Sequence, residues 1–125
     1  TRVHEVLYIE DNEVNQLLMQ GMLAHRPSVR LRLADLPEQG LAMALAQRPD
    51  LVLLDIQLPG IDGFEVLRRL RAQPETAQIP CVALSANAMP DDIERALAAG
   101  FADYWTKPID FKVFLGALEA RFPVP

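Results

Sequence analysis

Cys81 is the only cysteine in the 125-residue chain, so no internal disulfide can staple it. It sits inside the apolar run IPCVAL and reads as a buried core thiol. No apolar stretch approaches the roughly 20 residues of a membrane helix, and nothing at the N-terminus has the form of a signal peptide. A cytoplasmic location and no membrane contact are therefore expected. Basic residues are also short: 12 Lys and Arg stand against 17 Asp and Glu, a net charge of -5. Direct nucleic-acid binding, which needs a basic face to displace counterions, is not expected. There is no internal repeat, linker or low-complexity segment.

What remains is ordinary in bulk. Hydrophobic residues make up 50% and charged residues 23%, and the length suits one domain with one core, taken as residues 1–125. The first residue is Thr1, not Met, which suggests a piece of a longer protein.

Strand and helix patterns alternate along the chain. EVLYI (5–9) is a short apolar run of strand type. Val14, Leu17, Leu18, Gly21 and Met22 then recur as a helical stripe that fades before Pro27. VRLRL (29–33) alternates strictly, as a half-exposed edge strand should. Pro37 opens a helix and Pro49 closes the segment. LVLL (51–54) is apolar at every position, the mark of a strand covered on both faces. A helix over about 64–72 follows, with Phe64, Leu67, Leu70 and Arg71 at helical spacing, and IPCVAL (79–84) is the fourth strand.

Pro90, Asp91 and Asp92 form a helix first turn, with Ile93, Ala96 and Leu97 as the inner face and Gly100 as the stop. FADYWT (101–106) is the fifth strand, and Asp110 caps a last helix striped by Phe111, Phe114, Leu115 and Leu118. Five strands and five helices in alternation imply an α/β, doubly wound parallel sheet. With the alternating second strand at an edge, the order is 2-1-3-4-5.

In such a sheet ligands bind beyond the carboxyl ends of the strands. The first strand is followed by Glu10 and Asp11, the third by Asp55, the fourth by Ser85 and the fifth by Lys107. Neighbouring carboxylates repel one another unless a cation intervenes, and Mg²⁺ suits them, keeping a position for phosphate oxygen. Lys107 is a point charge for phosphate or for an unmodified Asp55, and Ser85 is a hydrogen-bond donor. Together they describe a phosphoryl-transfer site with a carboxylate nucleophile. Glu10 and Asp11 also suit the cap of the first helix. His4 and His25 lie outside the cluster and read as surface residues, the methionines as core or helix surface, and Trp105 as packing.

The segments IEDNEVN, LLDIQLPGIDG, ALSA and DYWTKP, in this order, resemble the response-regulator receiver domain of two-component signalling, and the resemblance spans the whole chain. It implies a flavodoxin-like receiver fold and a switch that takes a phosphoryl group from a histidine kinase or histidine phosphotransfer domain. Asp55 would be the phosphoacceptor. Glu10, Asp11, Asp55 and the backbone carbonyl of Gln57 would serve Mg²⁺. Ser85 and Lys107 would assist catalysis at the phosphoryl group, and Ser85 and Tyr104 would switch together, reshaping the surface of the fourth helix, fifth strand and fifth helix.

The resemblance also implies a cis Lys107–Pro108 bond, and it makes Pro59, Gly60 and Gly63 the means of the turn after the acceptor. Many receivers have two aspartates where this chain has Glu10–Asp11, and threonine is frequent where it has Ser85. Gln57 and Asn87 occupy positions that tune phosphoryl lifetime in the family.

EDNEVNQ is closer to receivers fused to hybrid histidine kinases than to those of transcription factors. An excised receiver of a hybrid sensor kinase is thus expected, with a stand-alone or N-terminal receiver as the alternative. Such a domain catalyses its own phosphotransfer and slow dephosphorylation without turning over an external substrate, and it can self-associate weakly. A binding module that never takes phosphate is opposed by retention of Asp11, Asp55, Ser85 and Lys107. A phosphatase of the haloacid-dehalogenase type is opposed by Gln57, where such enzymes carry a second aspartate.

Overall fold

The computed structural model describes residues 3–58, 60–87 and 89–122. In chain order they form β1 (His4–Ile9), α1 (Glu13–Leu23), β2 (Val29–Ala34), α2 (Pro37–Ala46), β3 (Leu51–Asp55), α3 (Gly63–Ala72), β4 (Cys81–Ser85), α4 (Pro90–Ala99), β5 (Asp103–Thr106) and α5 (Phe111–Arg121). All strand pairs are parallel and the order is β2-β1-β3-β4-β5, as expected. The register pairs Ile9 with Leu54, Asp55 with Leu84 and Ser85 with Thr106, so the chemistry-bearing residues leave the sheet at one edge.

Every residue of β3 and β4 is buried, and alternate side chains feed two separate cores. Leu7, Ile9, Val52, Leu54 and Ala83 pack against the side of α2, α3 and α4, with Val66, Leu67, Leu70 and Ala96. Val6, Tyr8, Leu51, Leu53, Val82 and Leu84 pack against α1 and α5, with Met19, Leu23, Phe114 and Leu118. Truncating one of these leucines to alanine costs about 2–5 kcal/mol. Cys81 lies fully buried, and burial, opposed by Arg71, pushes its thiol up to about 11, so it is the core thiol expected.

Side chains cap the starts of α1, α3 and α5, while α2 and α4 begin at Pro37 and Pro90 with no side-chain cap. Asp62 and Asp110 accept from the amides of Glu65 and Val113, each at 3.0 Å, and Gly100 ends α4 with φ 116°. At α1 the cap is Asn12, which accepts from the Asn15 amide at 3.0 Å, rather than Glu10 or Asp11. Those two carboxylates are thereby left for other work.

The apolar stripes are less faithful. Val14, Leu17 and Leu18 on α1 are 64%, 58% and 55% exposed, while Met19 and Leu23 make the buried face. Leu97 and Phe111 are likewise exposed. Helical spacing defines a face but does not say what covers it. Strand bounds also shift: β4 starts at Cys81, not Ile79, and takes in Ser85, and β5 begins at Asp103 because Phe101 turns into the core against Phe64. His4 is half-buried, not a surface residue, stacked on Phe122 with ring centroids 4.2 Å apart. It borders a polar cluster at the far end of the sheet, where Gln47 donates to Glu5 at 2.6 Å and Arg30 approaches it at 3.5 Å.

Candidate functional site

The loop after β3 must turn at once, and two of the three residues assigned to it show how. Gly60 has φ +86°, and a Cβ on Gly63 would lie 2.5 Å from the Ile56 Cα, so only glycine lets α3 start against that backbone. Pro59 lies outside the described residues. On the neighbouring strands, the Glu10 amide donates to Ala34 at 3.0 Å and the Lys107 amide to Ser85 at 2.8 Å. These ladder bonds extend the sheet past its last apolar residues and aim Glu10 and Lys107 inward. The Lys107–Pro108 bond is cis.

At the sheet edge the Lys107 ammonium lies 2.7 Å from Asp55 Oδ2 and 2.7 Å from Glu10 Oε1. Such short charge-assisted bonds are the strong kind. Asp55 Oδ1 accepts from the Gln57 amide at 2.9 Å. Glu10 is fully buried and Asp55 nearly so, while Asp11 is exposed. Burial pushes the Glu10 carboxyl up, but hydrogen bonding with Asp55, Lys107 and Tyr8 outweighs this and holds it at about 2. Asp55 moves the other way. Burial and the adjacent Glu10 raise it, more than Lys107 and the Gln57 amide lower it. Burial disfavours the Lys107 charge, but the two carboxylates prevail and raise it.

One ammonium is thus set among three carboxylates, since oxygens of Glu10, Asp11 and Asp55 all lie within 4.8 Å of one another. Oxygens on one Mg²⁺ stand about 4.2 Å apart when trans and about 3 Å when cis, so the carboxylates would draw in around the ion, or the more distant of them would reach it through bound water. Hard oxygen donors, excess negative charge and a raised Asp55 carboxyl all fit a divalent cation.

The flank toward β4 and β5 is looser. Ser85 Oγ accepts from the Asn87 amide at 3.1 Å, and among the described residues its own proton has no acceptor. The Tyr104 hydroxyl donates to the Asn87 carbonyl. Between Ser85, Tyr104, Gln57 and Arg95 lies a pocket of about 170 Å³. Arg95 stacks over Phe64 at 4.2 Å.

On the other side, beyond Lys107, an open apolar groove of about 570 Å³ runs between α1 and the start of α5. The exposed Leu17, Leu18 and Phe111 line it, with Met22 and His25, and its floor reaches Tyr8 and Lys107.

The structure therefore brings together Glu10, Asp11, Asp55, Gln57 and Lys107, with Ser85 and Tyr104 on the adjoining flank. Trp105 is packing, edge-on to Phe114 at 5.7 Å. Sequence reasoning missed Tyr8, whose hydroxyl donates to Glu10 Oε1 at 3.0 Å, and Asn15, which donates to the same oxygen at 2.8 Å. The two-residue spacing of Tyr8 and Glu10 on one strand was the available signal for the first.

A doubly wound parallel sheet carrying a lysine-bridged acidic cleft at its carboxyl edge defines a flavodoxin-like module built for phosphoryl chemistry. The chain belongs to the response regulator receiver domain family, whose family model matches residues 6–119. It is 40% identical over 116 residues to the transcriptional regulatory protein AfsQ1 of Streptomyces coelicolor, covering 93% of this chain and 48% of that one, about half its length. It is 36% identical over 115 residues to the polar-differentiation response regulator DivK of Brucella anthropi, covering 92% and 93%.

Among solved structures, the receiver domain of the sensor histidine kinase PA1611 from Pseudomonas aeruginosa PAO1 superposes with a TM-score of 0.84. The two are 36% identical, with 94% of this chain and 96% of that one covered. That structure has a magnesium ion coordinated in the active site cleft. Receiver domains accept phosphoryl groups from histidine kinases or phosphotransfer proteins, and the family binds Mg²⁺ at an acidic site. No helix among the described residues is long and apolar enough to cross a membrane.

Proposed function

We propose that residues 1–125 form one cytoplasmic receiver domain in which Asp55 accepts a phosphoryl group from a phosphohistidine on a partner protein. The observation that carries this reading is the buried Asp55 carboxylate, held 2.7 Å from Lys107 within an acidic triad. The Gln57 amide and the Lys107 ammonium hold its two oxygens, so the nucleophile is aimed before substrate arrives. An Asp55 oxygen forms the new bond to phosphorus as the bond from phosphorus to the imidazole nitrogen breaks, and the imidazole leaves with that electron pair. Lys107 then passes from Asp55 to the phosphoryl oxygens, and the Ser85 hydroxyl donates to another. Bound Mg²⁺, held by Asp11, Asp55 and the Gln57 carbonyl with Glu10 in support, supplies neutralising charge for the transferring group.

Ser85 drawn toward the phosphoryl group gives up the Asn87 amide, and Tyr104, bonded to the same Asn87, is freed to move inward. Phosphorylation then favours the state in which the surface of α4, β5 and α5 is rearranged, in proportion to its preference for that state. The α1 groove, opening beside Lys107, receives the apolar surface of the phosphohistidine partner.

The likeness to the PA1611 receiver supports a place within a hybrid sensor kinase. DivK, which this chain matches over nearly its full length, supports a stand-alone receiver as a second reading.

Intact mass after incubation with a small phosphodonor tests the core of the proposal. One Mg²⁺-dependent phosphoryl adduct is expected, absent in Asp55→Asn. An adduct that persists in the variant shifts the nucleophile elsewhere. No adduct in a chain that still binds Mg²⁺ and also refuses the partner's phosphate favours a binding module.

A further inference from the structure

β1 is apolar from Val6 to Ile9 except for one hydroxyl, that of Tyr8, and the residue is 1% exposed. A phenol placed so deep normally has a partner. Two residues along a strand share a face, so Tyr8 and Glu10 project to the same side of the sheet. Their side chains meet there, with Tyr8 donating to Glu10 Oε1 at 3.0 Å. Asn15, from the first turn of α1, donates to that oxygen at 2.8 Å, and Lys107 donates to it at 2.7 Å. Three donors therefore converge on Oε1. Among the described residues the other oxygen, Oε2, accepts from one amide, that of Asn12, at a long 3.3 Å.

This asymmetry matters because Glu10 is one methylene longer than the aspartate that often stands at this place. A glutamate has an additional torsion, and in a dry site an unheld carboxylate can fold onto Lys107 with either oxygen. Convergent donors on one oxygen fix both the reach and the roll of the group.

We propose that Tyr8 is a positioning residue of the metal site: with Asn15, it anchors Glu10 Oε1 toward Lys107 and leaves Oε2 as the oxygen available to the cation or its bound water. The inference rests on the reading of this site as a Mg²⁺ site and adds a residue from inside the core to it. Outer partners that orient a ligand typically account for about 10–100-fold in metal affinity. Tyr8 also floors the α1 groove, so this anchor lies directly beneath the surface assigned to the partner.

The test is a double-substitution cycle read by calorimetric titration of the folded apo chain with Mg²⁺, with thermal unfolding measured alongside. Tyr8→Phe is expected to weaken Mg²⁺ binding by about tenfold. In a Glu10→Asp background, where the shorter side chain retreats from the phenol, the same substitution is expected to change affinity by less than about twofold.

A Tyr8→Phe variant that unfolds at a lower temperature but binds Mg²⁺ normally overturns the inference, because Tyr8 is then only packing. Equal effects in both backgrounds overturn it as well, since the phenol would act without Glu10. If the unsubstituted chain binds no Mg²⁺, the metal reading fails and takes this inference with it. Normal binding by both the chain and Tyr8→Phe removes this inference alone.

Discussion

The two flanks of Asp55 differ in how tightly their groups are held. Toward β1, Glu10, Lys107 and Asp55 are tied by 2.7 Å charged bonds, with Tyr8 and Asn15 completing Glu10 Oε1. Toward β4, Ser85 and Tyr104 share a single residue, Asn87, and face a pocket. A group that must stabilise charge acts best when it is already in place. A group that must report phosphorylation needs two positions of similar energy. The rigid flank therefore suits chemistry and the loose flank suits switching.

Removing the cation from the rigid flank should have the largest effect. Lys107→Met is expected to slow adduct formation from a small phosphodonor by about 100-fold or more, the usual consequence of losing one preorganised charge. It should also change the pH dependence of stability without Mg²⁺. In the unsubstituted chain Glu10 sits at about 2, so its stabilising contribution is complete at neutral pH and fades as pH falls from the ordinary glutamate value toward 2.

Asp55 is raised, so it works in the opposite sense: folding takes up a proton, and stability declines as pH rises through the folded value. Without Lys107 both carboxylates lose the cation that favours their charged forms, and the second sense strengthens. The variant should therefore gain more stability than its parent as pH falls from 7 toward the ordinary carboxylate values of about 4, measured by urea unfolding. A parallel pH dependence would show that Lys107 does not hold the pair.

Most of this arrangement was legible in the residues because fully buried parallel strands are apolar throughout and their polar terminators stand out. LVLL ending in Asp55 and IPCVAL ending in Ser85 needed no tertiary information. The cap of α1 was less clear, since Glu10, Asp11 and Asn12 are all suited to helix starts and only backbone geometry selects Asn12. The Tyr8 contact depends on a rotamer.

The stripe of Val14, Leu17 and Leu18 raised the hardest question. Its periodicity is equally good for a face packed on the sheet and for one offered to another molecule. Burial alone separates them, and here it leaves those three residues in solvent.

That exposed stripe yields the next largest effect and extends the comparison beyond Asp55. If the groove serves the partner and the rigid flank serves the chemistry, the two should be separable by substitution. Leu18→Asp is expected to reduce transfer from the cognate phosphohistidine protein by about tenfold or more, as central apolar contacts of an interface do. Adduct formation from a small phosphodonor should stay within about twofold, because an exposed substitution leaves the cleft and its stability nearly unchanged. Equal loss with both donors would place Leu18 in the chemistry and dissolve the distinction.

The smallest of the three principal losses should come from the loose flank, where it is also the most informative. Ser85→Ala removes one neutral hydroxyl, which accepts a single amide bond in the resting state. Net hydrogen-bond contributions of this kind are about 0.5–1.5 kcal/mol, so adduct formation should slow by roughly twofold to tenfold. The readout of the switch should suffer far more. In the unsubstituted chain, a phosphoryl mimic should move amide resonances from Asn87 through α4 to Tyr104, because Ser85 lets go of the Asn87 amide as it turns. In Ser85→Ala that amide has no hydroxyl to lose, and the shifts should remain confined to Asp55, Gln57 and Lys107. Full shifts at Tyr104 in the variant would mean that the mimic reaches α4 by another route, with the pocket bounded by Gln57 and Arg95 as the next path to test.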